Sequence, residues 1–322
     1  MSDLRPVVAL AGGVGGAKLI HGLAMAGIER LSAIVNTGDD FEHLGLHIAP
    51  DVDTVLYTLA GIANRQQGWG LEGESWSFMD QLEKVGAPVW FRLGDRDLAT
   101  HVLRTERLRA GERLTGITRV LSRRLGAPAD ILPMSDEPVR TMVNTISGEV
   151  AFQDYFVRLR CDIEVKGFRF AGIERARPTP EVAAALRQGD LRAIVICPSN
   201  PLVSIAPILS LPGMRELVVG SRAPIVAVSP IIGGRAVKGP AAKMMLELGQ
   251  TPSVIAIAET YAGLVDGLVI DHLDAGAAAE IEGLGIAAHV TGTLMGNDDD
   301  RRRLGMECLE FADQLKGAGR EP

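Results

Sequence analysis

The chain has 322 residues, 47% hydrophobic and 23% charged, with a formal net charge of −7 and an isoelectric point near 5.5. That is ordinary globular composition with length for one large or about two ordinary domains, and its acidic balance argues against a nucleic-acid binder, which would carry a basic face. Cys161, Cys197 and Cys308 lack the spacing of a zinc site or disulfide framework, and no apolar run reaches the ~18 residues of a membrane span.

A single arginine before a very short apolar run at the N-terminus is no signal peptide, so a soluble, cytoplasmic protein is expected. The first strand, 6–11, runs straight into Gly12-Gly13-Val14-Gly15-Gly16 and then Ala17-Lys18-Leu19-Ile20. Glycine tolerates positive φ and has no Cβ, so backbone amides there can approach a phosphate closely. A helix over 17–26 would point its N-terminal amides and positive dipole end at the anion. The run is not a dinucleotide fingerprint: with Gly13 and Gly15 as the first two glycines, Lys18 stands where the third belongs. No Gly-Lys-Ser/Thr closes it as a P-loop, and a tight turn without ligand is the plain alternative.

A second strand, 31–36, ends in Asn36-Thr37-Gly38-Asp39-Asp40, and Pro50-Asp51-Val52-Asp53-Thr54 opens a helix over 51–63. Four carboxylates thus follow the glycine turn closely. Hard oxygen ligands of this kind suit Mg²⁺, which commonly joins one or two carboxylates to substrate phosphates. Aspartate at a helix start is also an ordinary cap, which leaves Asp51 a structural alternative.

Helices follow at 76–84, 98–109 and 114–125. Between the first two lies Leu93-Gly94-Asp95-Arg96-Asp97-Leu98-Ala99-Thr100-His101, readable as a helix N-terminus at Asp97 with a surface Asp95–Arg96 pair. Arg92 could balance an anionic ligand or lie on the surface. Pro133 to Thr141 reads as a loop. From about Thr141 to Ala176, Phe152, Tyr155, Phe156, Phe168 and Phe170 cluster among alternating polar residues, which indicates a β-rich insertion.

A helix over 180–187 precedes a strand, 192–197, that reads as fully buried. It leaves through Cys197-Pro198-Ser199-Asn200-Pro201, where Ser199, Asn200 and Ser204 could grip a base or phosphate, although Asn before Pro also makes a good turn. Further strands are expected at 224–228, 254–257 and 267–270, and helices at 201–209, 238–248, 259–264 and 299–316. Between strand and helix, Gly233-Gly234 with Lys238 form a second candidate anion cradle. No Gly-x-Ser-x-Gly elbow or Cys/His nucleophile pair appears, which disfavours covalent acyl chemistry. Strands alternating with helices favour an α/β fold, a parallel sheet covered on both faces.

Taken together, GGVGGAK at 12–18, NTGDD at 36–40, PDVDT at 50–54, LGDRDLATH at 93–101 and PMSDEPVRT at 133–141 closely resemble the 2-phospho-L-lactate transferases. FQDYFVRLR at 152–160, PSNPLVSIAPIL at 198–209 and SPIIGGRAVKGPAAKMM at 229–245 complete the set. A sugar-nucleotide-binding family linked to gluconeogenic growth and cell shape is a more distant likeness. It shares the glycine turn without the 93–101 and 152–160 stretches, and a non-catalytic regulatory binder of that kind is the alternative function.

The resemblance implies a Rossmann-like three-layer parallel sheet with a smaller β-rich and helical subdomain inserted. The whole chain would then be one domain, with a core of about 1–60 and 190–322 and the smaller part from 61–189. It implies Mg²⁺ dependence and a homodimer, while the acidic charge and the lack of a long apolar run lead us to expect no nucleic-acid or membrane partner. The implied reaction transfers a phospho-lactyl-type group to the ribityl hydroxyl of the deazaflavin Fo. Its donor is a guanosine diphosphate adduct of 2-phospholactate, phosphoenolpyruvate or 3-phosphoglycerate, and it releases GMP and builds the core of coenzyme F-420. On that reading Asp39 and Asp53 hold the metal with Asp40 or Asp51 assisting, and Asp40 accepts the hydroxyl proton, so that Asp40 and Asp53 are catalytic. Asp53 and Arg92 would contact Fo. Gly12, Gly13, Gly15, Gly16, Lys18, Ser199, Asn200, Ser204, Gly233 and Gly234 would line the nucleotide side.

Overall fold

Val7–Ala11 forms β1, and all five of its residues are buried. In the computed structural model, which describes residues 4–237 and 239–318, β1 lies inside a seven-stranded sheet. The other strands are β2 (Leu31–Val35), β3 (Phe41–His43), β4 (Leu46–Ile48), β5 (Asp130–Pro133), β6 (Arg140–Thr145), β7 (Gly148–Ala151), β8 (Val165–Ala171), β9 (Ala193–Ile196), β10 (Ile225–Val228), β11 (Ile231–Ile232), β12 (Arg235–Ala236), β13 (Gly267–Asp271) and β14 (Ala287–Thr291). The helices are α1 (Gly13–Met25), α2 (Pro50–Leu59), α3 (Ser77–Lys84), α4 (Asp97–Arg109), α5 (Leu114–Leu125), α6 (Pro180–Leu186), α7 (Ala206–Leu209), α8 (Met214–Gly220), α9 (Ala241–Glu247), α10 (Val254–Tyr261), α11 (Ala278–Gly283) and α12 (Asp298–Ala318).

The large sheet runs β14-β13-β10-β9-β1-β2-β5, and every pairing in it is parallel. Alternate side chains of β1 enter two cores, because successive residues of a strand face opposite sides. Val7, Ala9 and Ala11 pack with Leu19, Ile20 and Leu23 of α1, Val55 and Leu56 of α2, and Leu304 and Cys308 of α12. Val8 and Leu10 pack with Val182 of α6, Met214 of α8, Ile257 of α10 and Ile281 of α11. Both faces are therefore covered, which is why these strands tolerate unbroken apolar runs such as Ala193-Ile194-Val195-Ile196. Chain direction from β1 goes one way to β2 and β5 and the other way to β9 and β10. The crevice at such a reversal, beyond the C-terminal strand ends, is where open α/β sheets bind ligands.

Residues 140–171 add an antiparallel sheet of order β7-β6-β8, in the region whose aromatic clustering indicated a β-rich insertion. Three readings change. Val254–Ile257, expected as a strand, opens α10, where Ser253 caps the helix by accepting from the Ala256 N–H at 3.1 Å. Four apolar residues in a row do not distinguish a buried strand from a buried helix. β5 and β14, which were not expected, extend the sheet at its two edges, where short strands need less apolar character. β5 also falls within 61–189, so that stretch contributes an edge strand to the large sheet as well as the smaller one. Among the described residues no single helix is long and apolar enough to cross a membrane.

Candidate functional site

The glycine turn caps α1 at the C-terminal end of β1. Gly12 is extended, and Gly13 takes φ +64°, a conformation that favours glycine. A Cβ on Gly12 would sit 2.5 Å from Asp51 Oδ2 and 2.7 Å from the Ser204 Cβ, and one on Gly15 would collide with the Pro198 carbonyl. The turn is thus pressed between the start of α2 and the loop after β9. Ser199 locks it in place: its Oγ accepts the Gly12 N–H at 3.1 Å and donates to the Gly12 carbonyl at 2.8 Å. Asn200 Oδ1 accepts from the Leu202 N–H at 2.9 Å, so it caps the short helical segment Pro201–Ile205 that runs into α7, and its Nδ2 faces Met244 Sδ at 3.6 Å.

Asn36, at the end of β2, ties the acidic residues to this turn. Its Oδ1 accepts the Gly38 N–H at 2.8 Å, and its Nδ2 donates to Asp51 Oδ2 at 2.9 Å and to the Val203 carbonyl at 3.3 Å. Asp39, Asp40 and Asp51 are all buried. Burial drives the Asp39 carboxyl well above the usual range, and the Asp51 charge pushes it further. Burial likewise lifts Asp51 to about 6; the Asp40 charge adds to this, against bonds from Asn36 and the Gly13 N–H. Oδ1 of Asp39 and Oδ1 of Asp40 are buried without a hydrogen-bond partner. Such oxygens are costly unless something else satisfies them. Among the described residues no three His, Cys, Asp or Glu side chains stand as a ready-made metal cluster. The chemistry of the donor set still fits Mg²⁺, which takes few protein carboxylates and completes its shell with water and phosphate.

Asp53 is placed differently. Both its oxygens pair with Arg104, Oδ2 accepting from one guanidinium nitrogen at 3.0 Å. Arg104 is 0% exposed; burial opposes its charge, yet the Asp53 carboxylate outweighs that and holds its pKa above the ordinary value. His101 Nδ1 stands 3.4 Å from Arg104 and 3.7 Å from Asp53, while its Nε2 lies 3.2 Å from Asp97. The Tyr57 hydroxyl donates to Asp97 at 2.5 Å. Asp97, His101 and Arg104 lie on one face of α4 at helical spacing, i, i+4 and i+7, so α4 turns its polar face inward. No motif marks Arg104; only its register with Asp97 and His101 could have pointed to it. His47, at β4, approaches Asp40 Oδ2 with its Nε2 at 3.0 Å.

The remaining expected residues scatter further. Arg92 is exposed, bonded to Asp80 at 2.9 Å and lying 5.1 Å over the Trp76 ring. Beside it Phe41, His43, Trp90 and Phe91 form an aromatic cluster, with Phe41 directly following Asp40. Lys18 Nζ donates to the Met295 carbonyl at 3.0 Å. Gly233 and Gly234 form the turn between β11 and β12, with φ of +55° and +75°, and the Gly233 N–H is taken by Asp274 at 2.9 Å. Lys238 lies outside the described residues.

The model of the family described as 2-phospho-L-lactate transferase CofD matches residues 7–284. A phosphoenolpyruvate transferase of Streptomyces griseus is 40% identical over 317 residues, 96% of this chain and 99% of its own. A 2-phospho-L-lactate transferase of Methanosarcina acetivorans is also 40% identical, over 92% of this chain and 96% of its own. In fold, two crystal structures of a UPF0052-family protein from Bacillus halodurans superpose with TM-scores of 0.61 and 0.65 at 16% and 17% identity. They cover 96% and 95% of this chain and 100% of their own. At that identity they speak for the architecture alone.

Proposed function

The chain belongs to the 2-phospho-L-lactate transferase CofD family, and from that membership we propose that it forms the phosphodiester of a coenzyme F-420 precursor. The ribityl hydroxyl of Fo attacks the phosphorus that carries a three-carbon acid, and GMP leaves in line. Relatives named for phosphoenolpyruvate and for 2-phospho-L-lactate are equally similar at 40%. On this reading the donor is a guanylylated phospho-acid of either kind, or of 3-phosphoglycerate.

The observation that carries this reading is the meeting of buried, under-satisfied carboxylates with a helix-capping glycine turn at the strand-order reversal. Transfer of a phosphoryl centre needs positioning and charge neutralisation more than covalent help. The first four amides of a helix lack intrahelical partners. Ser199 occupies the Gly12 amide and Asp51 the Gly13 amide, which leaves those of Val14 and Gly15 for a phosphate oxygen. Asp39 and Asp51 are the residues that would hold Mg²⁺; when bound, it would neutralise charge on the diphosphate. Asp40, oriented by His47, is the group to accept the hydroxyl proton, as a base must come within hydrogen-bond reach. Asp53, fixed by Arg104, offers a rigid acceptor edge rather than an open metal ligand. The face formed by Phe41, Trp90 and Phe91, with Arg92 beside it, suits a planar deazaflavin ring.

The test is direct. The protein is incubated with Mg²⁺, Fo and each of the three guanylylated acids, and GMP and the phosphodiester product are read by mass spectrometry. One donor giving both products is the expected result, and no product from any donor refutes the proposal. A non-catalytic nucleotide binder would retain nucleotide affinity in the same assay without turnover.

A further inference from the structure

We propose that the crevice between α1, the loop after α2 and the start of α12 binds a tetrahedral oxyanion, a phosphate or phosphoryl group, through Arg301, Arg65 and Lys18. The crevice encloses a cavity of about 60 Å³ and is lined by these three cations together with Val14, Thr58 and Asn64. At roughly 10–15 Å³ for each water-sized position, that space holds about four to six, room for an ion of five heavy atoms.

Its charge balance points to an anion. Arg301 is only 7% exposed, and its buried Nε–H has no hydrogen-bond partner. One carboxylate, Asp298, serves both guanidiniums: Arg65 bonds it at 3.0 and 3.1 Å and Arg301 reaches it at 3.2 Å. Arg301 also stands 3.3 Å from His21 Nδ1. Burial lowers the pKa of His21 first, and the neighbouring Arg301 charge lowers it further against the pull of Asp298. A purely structural anchor for α12 would match each buried guanidinium with its own acceptor. Here a donor is left over beside a polar cavity, and guanidinium groups are the side chains best suited to oxyanions. Val14 follows Gly13, so the crevice adjoins the flank of the glycine turn.

The inference stands apart from the transferase reading, because it is tested on the full chain without Mg²⁺, Fo or nucleotide. Inorganic phosphate is titrated into the protein by isothermal calorimetry, alongside Arg301→Met and Arg65→Ala. One saturable site per chain is expected. Its affinity should fall about ten- to a hundredfold in Arg301→Met, the loss of a charge-assisted bond to an ionised partner, and severalfold in Arg65→Ala. Arg65 is exposed, so its variant should fold normally and decides the matter if Arg301→Met does not. No saturable binding at millimolar phosphate, or equal affinity in wild type and Arg65→Ala, overturns the proposal. A following titration with GDP separates the sources: competition marks the site as part of a nucleotide's phosphate track, and independent binding marks it as a site for the free ion.

Discussion

Asp53 shares both carboxylate oxygens with one guanidinium, so substituting either residue strands a buried charge. Arg104→Met should therefore destabilise the protein by about 3–5 kcal/mol in urea unfolding, the cost of breaking a buried pair from one side. A midpoint close to wild type would show that the pair is not holding α2 to α4. For the same reason Asp53→Ala is a poor probe of chemistry, since it unpairs Arg104 while it removes an acceptor. Asp39 is the cleaner one. Asp39→Asn relieves burial of a like charge beside Asp51, so the metal-free variant should be at least as stable as wild type. Its transfer rate should nevertheless fall on the order of 100-fold, the typical loss of one electrostatic stabiliser. An active Asp39→Asn would remove that carboxylate from the reaction. The pH dependence follows from the same pair. Asp51 titrates at about 6 in the fold against 3.8 in a free side chain. Between those values the folded chain keeps a proton that the unfolded chain has released. Stability from this group is thus fully present below about pH 3.8 and is lost as pH rises through about 6, with Asp39 acting in the same direction. A cation that replaces the protons should raise Tm clearly at about pH 7.5 and little at about pH 5; equal shifts at both would refute the Asp39–Asp51 site. The aspartates were legible because short motifs place them after a strand and at a helix start. Arg104 was not, because charges on a helix usually face solvent, and only the tertiary contact with Asp53 reverses that expectation.

At the scale of elements, the glycine turn is defined as much by what presses on it as by what it could bind. Gly12→Ala would drive a methyl group against Asp51 and Ser204. It should cost both stability and the proposed transfer activity. Gly116, inside α5 with open space around it, is the contrasting site. There the same substitution should stabilise by about 0.5–1 kcal/mol through helix propensity alone, with activity unchanged. Denaturation midpoints of the two variants check the pair; if Gly12→Ala proves as harmless as Gly116→Ala, the turn is not tightly enclosed. Regular elements with strong periodicity, such as β1, β9 and α4, can be read from the chain. α10 cannot, because Val254-Ile255-Ala256-Ile257 suits either a strand or a helix, and the Ser253 cap decides it. β5 and β14 escape notice because edge strands need not be uniformly apolar.

Over the whole molecule, the alternation of strands and helices establishes a parallel α/β sheet, while the order of its strands is a tertiary fact. That β1 lies between β2 and β9 follows from no local signal, yet it brings the loop at Pro198–Ser204 onto the glycine turn. The turn and its lock, Gly12 and Ser199, are separated by 187 residues of chain. During synthesis β1 can pair with β2 early, but its other side stays bare until β9 has left the ribosome. A nascent chain therefore carries a greasy, unpaired β-edge through most of its translation. A fragment ending near residue 190 should aggregate or be captured by chaperones, and extending it through β14 and α12, which complete the sheet beyond β9 and cover its faces, should restore solubility. Sedimentation of the two fragments after expression would show this, and a soluble, monomeric short fragment would contradict it. The strand that leads into the glycine turn is thereby also the one whose completion is slowest.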